Sequence, residues 1–275
     1  MEILPPLSEL YPFILALIAT GAVAGFLAGL FGVGGGAVLV PVFYQMLTVL
    51  GVDEAVRMHV AVGSSLAIIV PTSLQSFRKH KARGAVDMDL LKSFLFFVPF
   101  GVVCASIVTA YLSGASLRVI FAVMAFVIAM KLLFGRDSWK LGNDIPPNPV
   151  RGLAGWLIGF LSTFMGIGGG VFNNTFMTLF NRPMHQSVAT SSGVGVLISV
   201  PGFIGYILAG LGEPGLPPFS IGFVNLLMVA MVIPITLFVA PIGVNVAHKL
   251  TKRQLEVGFG LFLVVVSIRF FLTLL

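Results

Sequence analysis

The chain has 275 residues, of which 57% are hydrophobic and only 9% charged, with a mean hydropathy of +1.06. Soluble domains carry about 25% charged residues, so this composition excludes a soluble globular protein and marks one polytopic membrane domain over residues 1–275. The formal net charge is +6 and the pI about 9.8; basic cytoplasmic loops account for it first, a preference for anions second. The one cysteine, Cys104, excludes a disulfide framework or a thiolate metal site within one chain.

In chain order, Met1–Pro6 lacks the basic region of a cleaved signal peptide, so the first apolar segment is expected to be retained. Five apolar segments follow, near residues 12–31, 37–50, 59–77, 89–112 and 116–135. A polar stretch at 136–150, with Gly142, Pro146, Pro147 and Pro149, reads as a linker. Five more segments lie near 151–165, 170–181, 186–210, 219–247 and 254–274. The fold class is therefore all-α, with repeat 1 over 12–135 and repeat 2 over 151–275.

The two halves echo each other. Gly25-Phe26-Leu27 leads into Phe31-Gly32-Val33-Gly34-Gly35-Gly36, and Gly159-Phe160-Leu161 into Met165-Gly166-Ile167-Gly168-Gly169-Gly170, offset by 134 residues as Gly25 is from Gly159. Met58-His59 and Met184-His185 precede Ser64-Ser65 and Ser191-Ser192. Leu117-Arg118-Val119 matches Leu255-Glu256-Val257.

Arg78, Lys79, Lys81 and Arg83, then Arg136, Lys140 and Arg151, then Arg182, and finally Lys249, Lys252 and Arg253 are assigned to the cytoplasmic side. Ser113–Ser116 and Gly212–Pro218, with only Glu213 charged, are assigned outside, as are both termini. The repeats then run in opposite directions through the membrane, an architecture of many transporters that channels also use. The Val171–Phe180 stretch spans about 15 Å as a helix, half of a ~30 Å hydrocarbon core. The glycine turns are thus short or re-entrant breaks near the midplane, and such backbone must be buried in protein or line a cavity.

Glycine is costly inside a helix, so a doubled cluster in apolar sequence asks for a reason. Helices starting after Gly34, Gly35 and Gly36, and after Gly168, Gly169 and Gly170, would aim free N–H groups and a positive dipole end at an anion. Close helix packing through small residues is the competing explanation. Ser64, Ser65, Thr190, Ser191 and Ser192 offer hydroxyls, and Asn173 and Asn174 offer amides, where the first half has Leu39 and Val40. Interhelical bonding or capping would explain these equally. His59 and His185 are candidates for proton coupling, though anchoring near opposite surfaces fits them better. No Asp or Glu falls mid-segment, which favours an anion over a cation.

Gly32-x-Gly34-x-x-Ala37 lacks the preceding strand of a dinucleotide fingerprint, and no Gly-Lys-Ser/Thr follows it. No nucleophile–base pattern supports an enzyme. No cofactor, metal or nucleic-acid partner is expected; the partners are the bilayer and a small anion, and the oligomeric state is open.

The doubled Gly-Phe-Leu…Gly-x-Gly-Gly-Gly, with Ser64-Ser65, Thr190-Ser191-Ser192 and the Leu-Arg-Val-Ile-Phe and Leu-Glu-Val-Gly-Phe starts, resembles the sulfite exporter TauE/SafE family over about residues 13–273. The resemblance implies a bacterial or archaeal inner-membrane permease for sulfite, sulfoacetate or related organosulfonates. An anion channel is the first alternative to such a carrier. A non-transporting scaffold or sensor is a weaker one, because the loops leave little docking surface.

Overall fold

Long apolar runs punctuated by capping residues make this a helical protein. The structure, a computed structural model, describes residues 7–31, 36–135, 140–247 and 249–273. The first half of the chain contributes α1 (Leu7–Phe31), α2 (Gly36–Val49), α3 (Glu54–Ala82), α4 (Met88–Thr109) and α5 (Gly114–Phe134). The second half contributes α6 (Val150–Phe164), α7 (Gly170–Leu179), α8 (Met184–Ala209), α9 (Leu226–Ala247) and α10 (Lys252–Leu272). Each expected segment has its helix. Among the described residues, α3, α4, α5, α8 and α10 are long and apolar enough to cross a membrane, and the molecule is a multi-pass membrane protein.

The helix starts follow from short polar side chains that accept orphan backbone N–H groups. Asp53 accepts from Ala55, Asp87 from Leu90 and Ser113 from Ser116. Thr251 and Gln254 form a reciprocal capping box at α10.

Several segment boundaries differ from expectation, and α1 begins at Leu7 rather than near 12. α3 extends beyond 59–77 in both directions, because Asp53 caps it a turn earlier and Arg78, Lys79 and Lys81 continue it rather than forming a loop. The segment expected from 219 becomes helical only at Leu226. Before it, β1 (Ser220–Ile221) and β2 (Val224–Asn225) form a two-stranded antiparallel ladder. Gly222, at φ 53°, supplies the turn, and Asn225 Oδ1 accepts from Met228 N to start α9.

Helix pairing crosses between the halves. α1 packs on α9, α6 on α4, α3 on α8 and α5 on α10. Gly21 and Gly25 let α1 approach Ile235 and Thr236; Gly155 and Gly159 let α6 approach Phe94, Phe97 and Val98. α3 and α8 run antiparallel, since Gly63 meets Tyr206, Leu66 meets Gly202 and Phe77 meets Gly193. α3 is the most buried of the five spans. The outer faces of α4, α5 and α10 stay apolar, with Phe96, Phe100, Val123, Val127, Leu261 and Val265 exposed, as a lipid-facing surface requires.

At the α4–α6 crossing, a Cβ on Gly101 would overlap the carbonyl oxygen of Trp156 and lie 3.0 Å from Phe160 N. Backbone atoms cannot rotate away, so Gly101→Ala is expected to cost about 2 kcal/mol. Thermal unfolding in detergent should show a midpoint lower by roughly 4–8 °C; an unchanged midpoint would contradict this packing.

Arg118 is 3% exposed, donates to the Tyr44 hydroxyl and pairs with Glu54 at 2.7 Å. A buried guanidinium keeps its charge only with such partners. The interaction ties α5 to α2 and α3.

Candidate functional site

The second glycine turn, Met165–Gly169, closes because Ile167 N donates to Ser162 O at 3.0 Å and two glycines take left-handed geometry. Gly166 has φ 61° and Gly169 φ 73°. This turn packs half-way along the two long antiparallel helices. Gly166 lies against Val62 of α3, Gly168 against Ile69 of α3 and Gly195 of α8, and Gly169 against Val194 and Ile198 of α8.

Gly36, the last glycine of the first cluster, comes to the same place. A Cβ on Gly36 would overlap the carbonyl oxygen of Gly166 and lie 2.7 Å from Ile167 Cα and 2.9 Å from Ile69 Cδ1. Gly36 opens α2 as Gly170 opens α7, one residue earlier than the sequence suggested for each. Gly34 and Gly35 lie outside the described residues. Gly168, Gly169 and Gly170 form the second arm of the crossing. Gly169 caps α7 without any side-chain hydrogen bond. The first amides of a helix have no intrahelical partner, so the α7 start carries unspent donors and the positive dipole end at this depth.

The expected hydroxyls and amides divide. Ser65 Oγ donates to Gly166 O at 2.8 Å, fastening α3 to the glycine crossing. Asn173 is fully buried; its Nδ2 donates to Ser191 Oγ at 2.7 Å, and Ser191 Oγ donates to Asn174 Oδ1 at 2.7 Å. Asn173 Oδ1 is buried with no hydrogen-bond partner. This relay joins α7 to α8 one turn from the crossing.

The other three point elsewhere. Ser64 accepts from Asn225 N at 3.0 Å, on the β1–β2 side. Thr190 accepts from Asp87 N at 2.9 Å, holding the α3–α4 connection. Ser192 donates to Ala189 O at 2.6 Å, within its own helix. Consecutive helical residues project about 100° apart, and each serine here turns to a different partner from its neighbour.

The histidines also separate. The added N-terminal turn of α3 places His59 in its second turn, where it is 3% exposed and stacked on Phe223 at 4.5 Å, so it is not a surface anchor. His185, in the first turn of α8, is exposed. Lys131 donates to Thr175 of α7 at 2.6 Å as well as lying near the end of α5.

Sequence reasoning missed Asn225 and Phe223, whose roles depend on a ladder too short to read from pattern. It also missed Ser162 and Ser199, both fully buried with unpartnered hydroxyls. Ser199 stands to Ser73 at the 126-residue spacing that relates Ser191 to Ser65, a signal present in the sequence. Each described ion pair, Arg118–Glu54, Arg182–Asp144 and Arg253–Glu256, involves residues close to helix ends or loops rather than the crossing.

The sequence profile of the sulfite exporter TauE/SafE family matches residues 17–270. The chain belongs to that family. A "Probable membrane transporter protein" of Haemophilus influenzae is 33% identical over 265 residues, covering 96% of this chain and 100% of the relative. Another probable membrane transporter protein, from Methanocaldococcus jannaschii, is 27% identical over 88% of this chain and 89% of its own. The Bacillus subtilis probable membrane transporter protein YunE is 26% identical over 91% and 94%. No solved structure matches this TauE/SafE family member. It is a membrane transporter by family, and its glycine crossing lies within the matched region.

Proposed function

We propose that the protein is a secondary carrier of small sulfur-containing anions, sulfite or an organosulfonate such as sulfoacetate, across the cytoplasmic membrane. The observation that carries this reading is the meeting of Gly36 with the Gly166–Gly170 turn half-way along α3 and α8. An uncapped helix start and the Asn173–Ser191–Asn174 relay lie beside it. Donors without nearby carboxylates suit an oxyanion, which accepts hydrogen bonds from every side. Gly34–Gly36, Gly168–Gly170, Ser65, Asn173, Asn174 and Ser191 would surround the ligand, while Ser64, Thr190 and Ser192 would act by holding the neighbouring segments.

The two halves would be inverted repeats that rock against each other. The antiparallel course of α3 and α8 supports this, as does the exchange of partners in α1–α9 and α6–α4. The basic residues of 78–83 and 249–253 mark the cytoplasmic side, with both termini outside. The sulfur substrate class comes from the family's name.

The test is flux of isotope-labelled sulfite and sulfoacetate into liposomes holding the purified protein, with sulfate and acetate as controls. Saturable uptake with counterflow, selective for the sulfur anions, is expected. Single-channel currents would instead make it a pore, and equal flux of acetate would remove the substrate class.

A further inference from the structure

At the end of the molecule where α3 and α5 begin and α4 finishes, a cavity of about 460 Å³ is lined by Asp53, Glu54, Glu213, His59 and Phe223, among others. His59 is 3% exposed, and its Nδ1 is buried without a hydrogen-bond partner. The groups facing the ring come from every neighbouring element. α3 brings Asp53, Glu54 and the Ala55 carbonyl. The end of α4 and the turn after it bring the backbone of Thr109 and Leu112, and the α8–β1 loop brings Glu213. The start of α5 brings Ser113, Gly114 and Ala115, none of them titratable. Glu54 is engaged by Arg118 at 2.7 Å, and Asp53 Oδ1 accepts from Ala55 N at 2.9 Å.

The acceptors facing the ring are three carboxylates and three carbonyls. A neutral imidazole offers them one donor, an imidazolium two. No group of three or more carboxylate, histidine or cysteine side chains close enough to hold a metal ion occurs among the described residues. The ligand this chemistry fits is a proton.

The position matters for transport. Phe223 stacks on His59, its carbonyl oxygen covers Gly63, and Asn225 N is held by Ser64, so the β1–β2 hairpin lies between this cavity and Ser65 at the glycine crossing. An acidic mouth repels an arriving anion, and a charge gained beside it cancels part of that repulsion. Resting on the carrier reading above, we propose that this cavity is a proton-binding site in which His59 takes up the proton and thereby admits the anion past the hairpin. The exposed His185 has no part in it.

The test follows sulfoacetate, whose charge is constant over the range used. Flux into liposomes is measured as the cavity-side pH is stepped from about 8 to about 5.5, the window in which histidine changes charge. Wild-type flux is expected to rise about tenfold and His59→Gln flux to change less than about twofold. In parallel, ring-15N-histidine protein in lipid nanodiscs reports the charge of His59, its signal assigned by absence from His59→Gln. That signal should titrate within the window, and Glu213→Gln should displace the titration. A ring that stays in one state throughout, or a His59→Gln protein with the wild-type pH profile, overturns the proposal. A titrating ring in a protein that moves no anion upholds the proton site and removes the carrier reading instead.

Discussion

Gly36→Val is expected to abolish transport and to destabilise the protein by about 3 kcal/mol or more, because its branched side chain would run into backbone that cannot rotate away. The Cβ alone would overlap the Gly166 carbonyl oxygen and sit 2.7 Å from Ile167 Cα. That carbonyl also accepts from Ser65 Oγ, so moving it loosens α3 from the turn as well. The unfolding midpoint in detergent should fall by roughly 6–12 °C. Val123→Leu, on the exposed face of α5, should leave both stability and flux unchanged and serves as the control. If Gly36→Val protein unfolded and transported like wild type, Gly36 would not meet the second glycine turn as described.

Asn173→Leu separates function from folding. Leucine keeps the branching and heavy-atom count but removes the donor to Ser191 and the unpartnered Oδ1. Ser191 then retains only Asn174. One lost buried hydrogen bond costs about 1 kcal/mol of stability. If the amide contacts the anion, saturable flux should fall by about 10- to 100-fold, since a polar site missing one partner discriminates on that scale. Ser191→Ala should lower flux similarly, and the double variant should lose little more than either single one, because the three side chains form one network. Wild-type flux in both folded variants would move the site away from the relay and leave the hydrogen bonds a purely structural function.

The relay shows why the difference between the two glycine clusters' flanks can matter. The first half has Leu39 and Val40 where the second has Asn173 and Asn174, and both of the former are buried in apolar contact. One arm of the crossing is thus greasy and the other polar, so a bound anion would be held mainly from the α7–α8 side.

The order of elements was legible from the chain alone. A composition with 9% charge cannot make a soluble surface, and ten apolar runs broken by Gly, Pro and short polar residues map onto ten helices among the described residues. Asp53, Asp87, Ser113 and Thr251 cap helices for local reasons that need no tertiary context. The repeated glycine cluster pointed to the family and singled out the turn at Gly166–Gly169. These features are sequence-local: hydropathy, backbone freedom and capping act over a few residues.

Tertiary structure decided what those segments face. Ser64 and Ser65 are neighbours in sequence, yet one holds the β1–β2 hairpin and the other the glycine turn, because the helix rotates about 100° between them. His59 became buried through one extra capped turn and a stacked Phe223 from 164 residues further along the chain, whereas His185 stayed exposed. The approach of Gly36 to Gly166 depends on α3 and α8 running antiparallel and offering their middles to the second glycine turn. Such contacts join residues far apart in the chain, and only the packing of whole helices determines which of them meet.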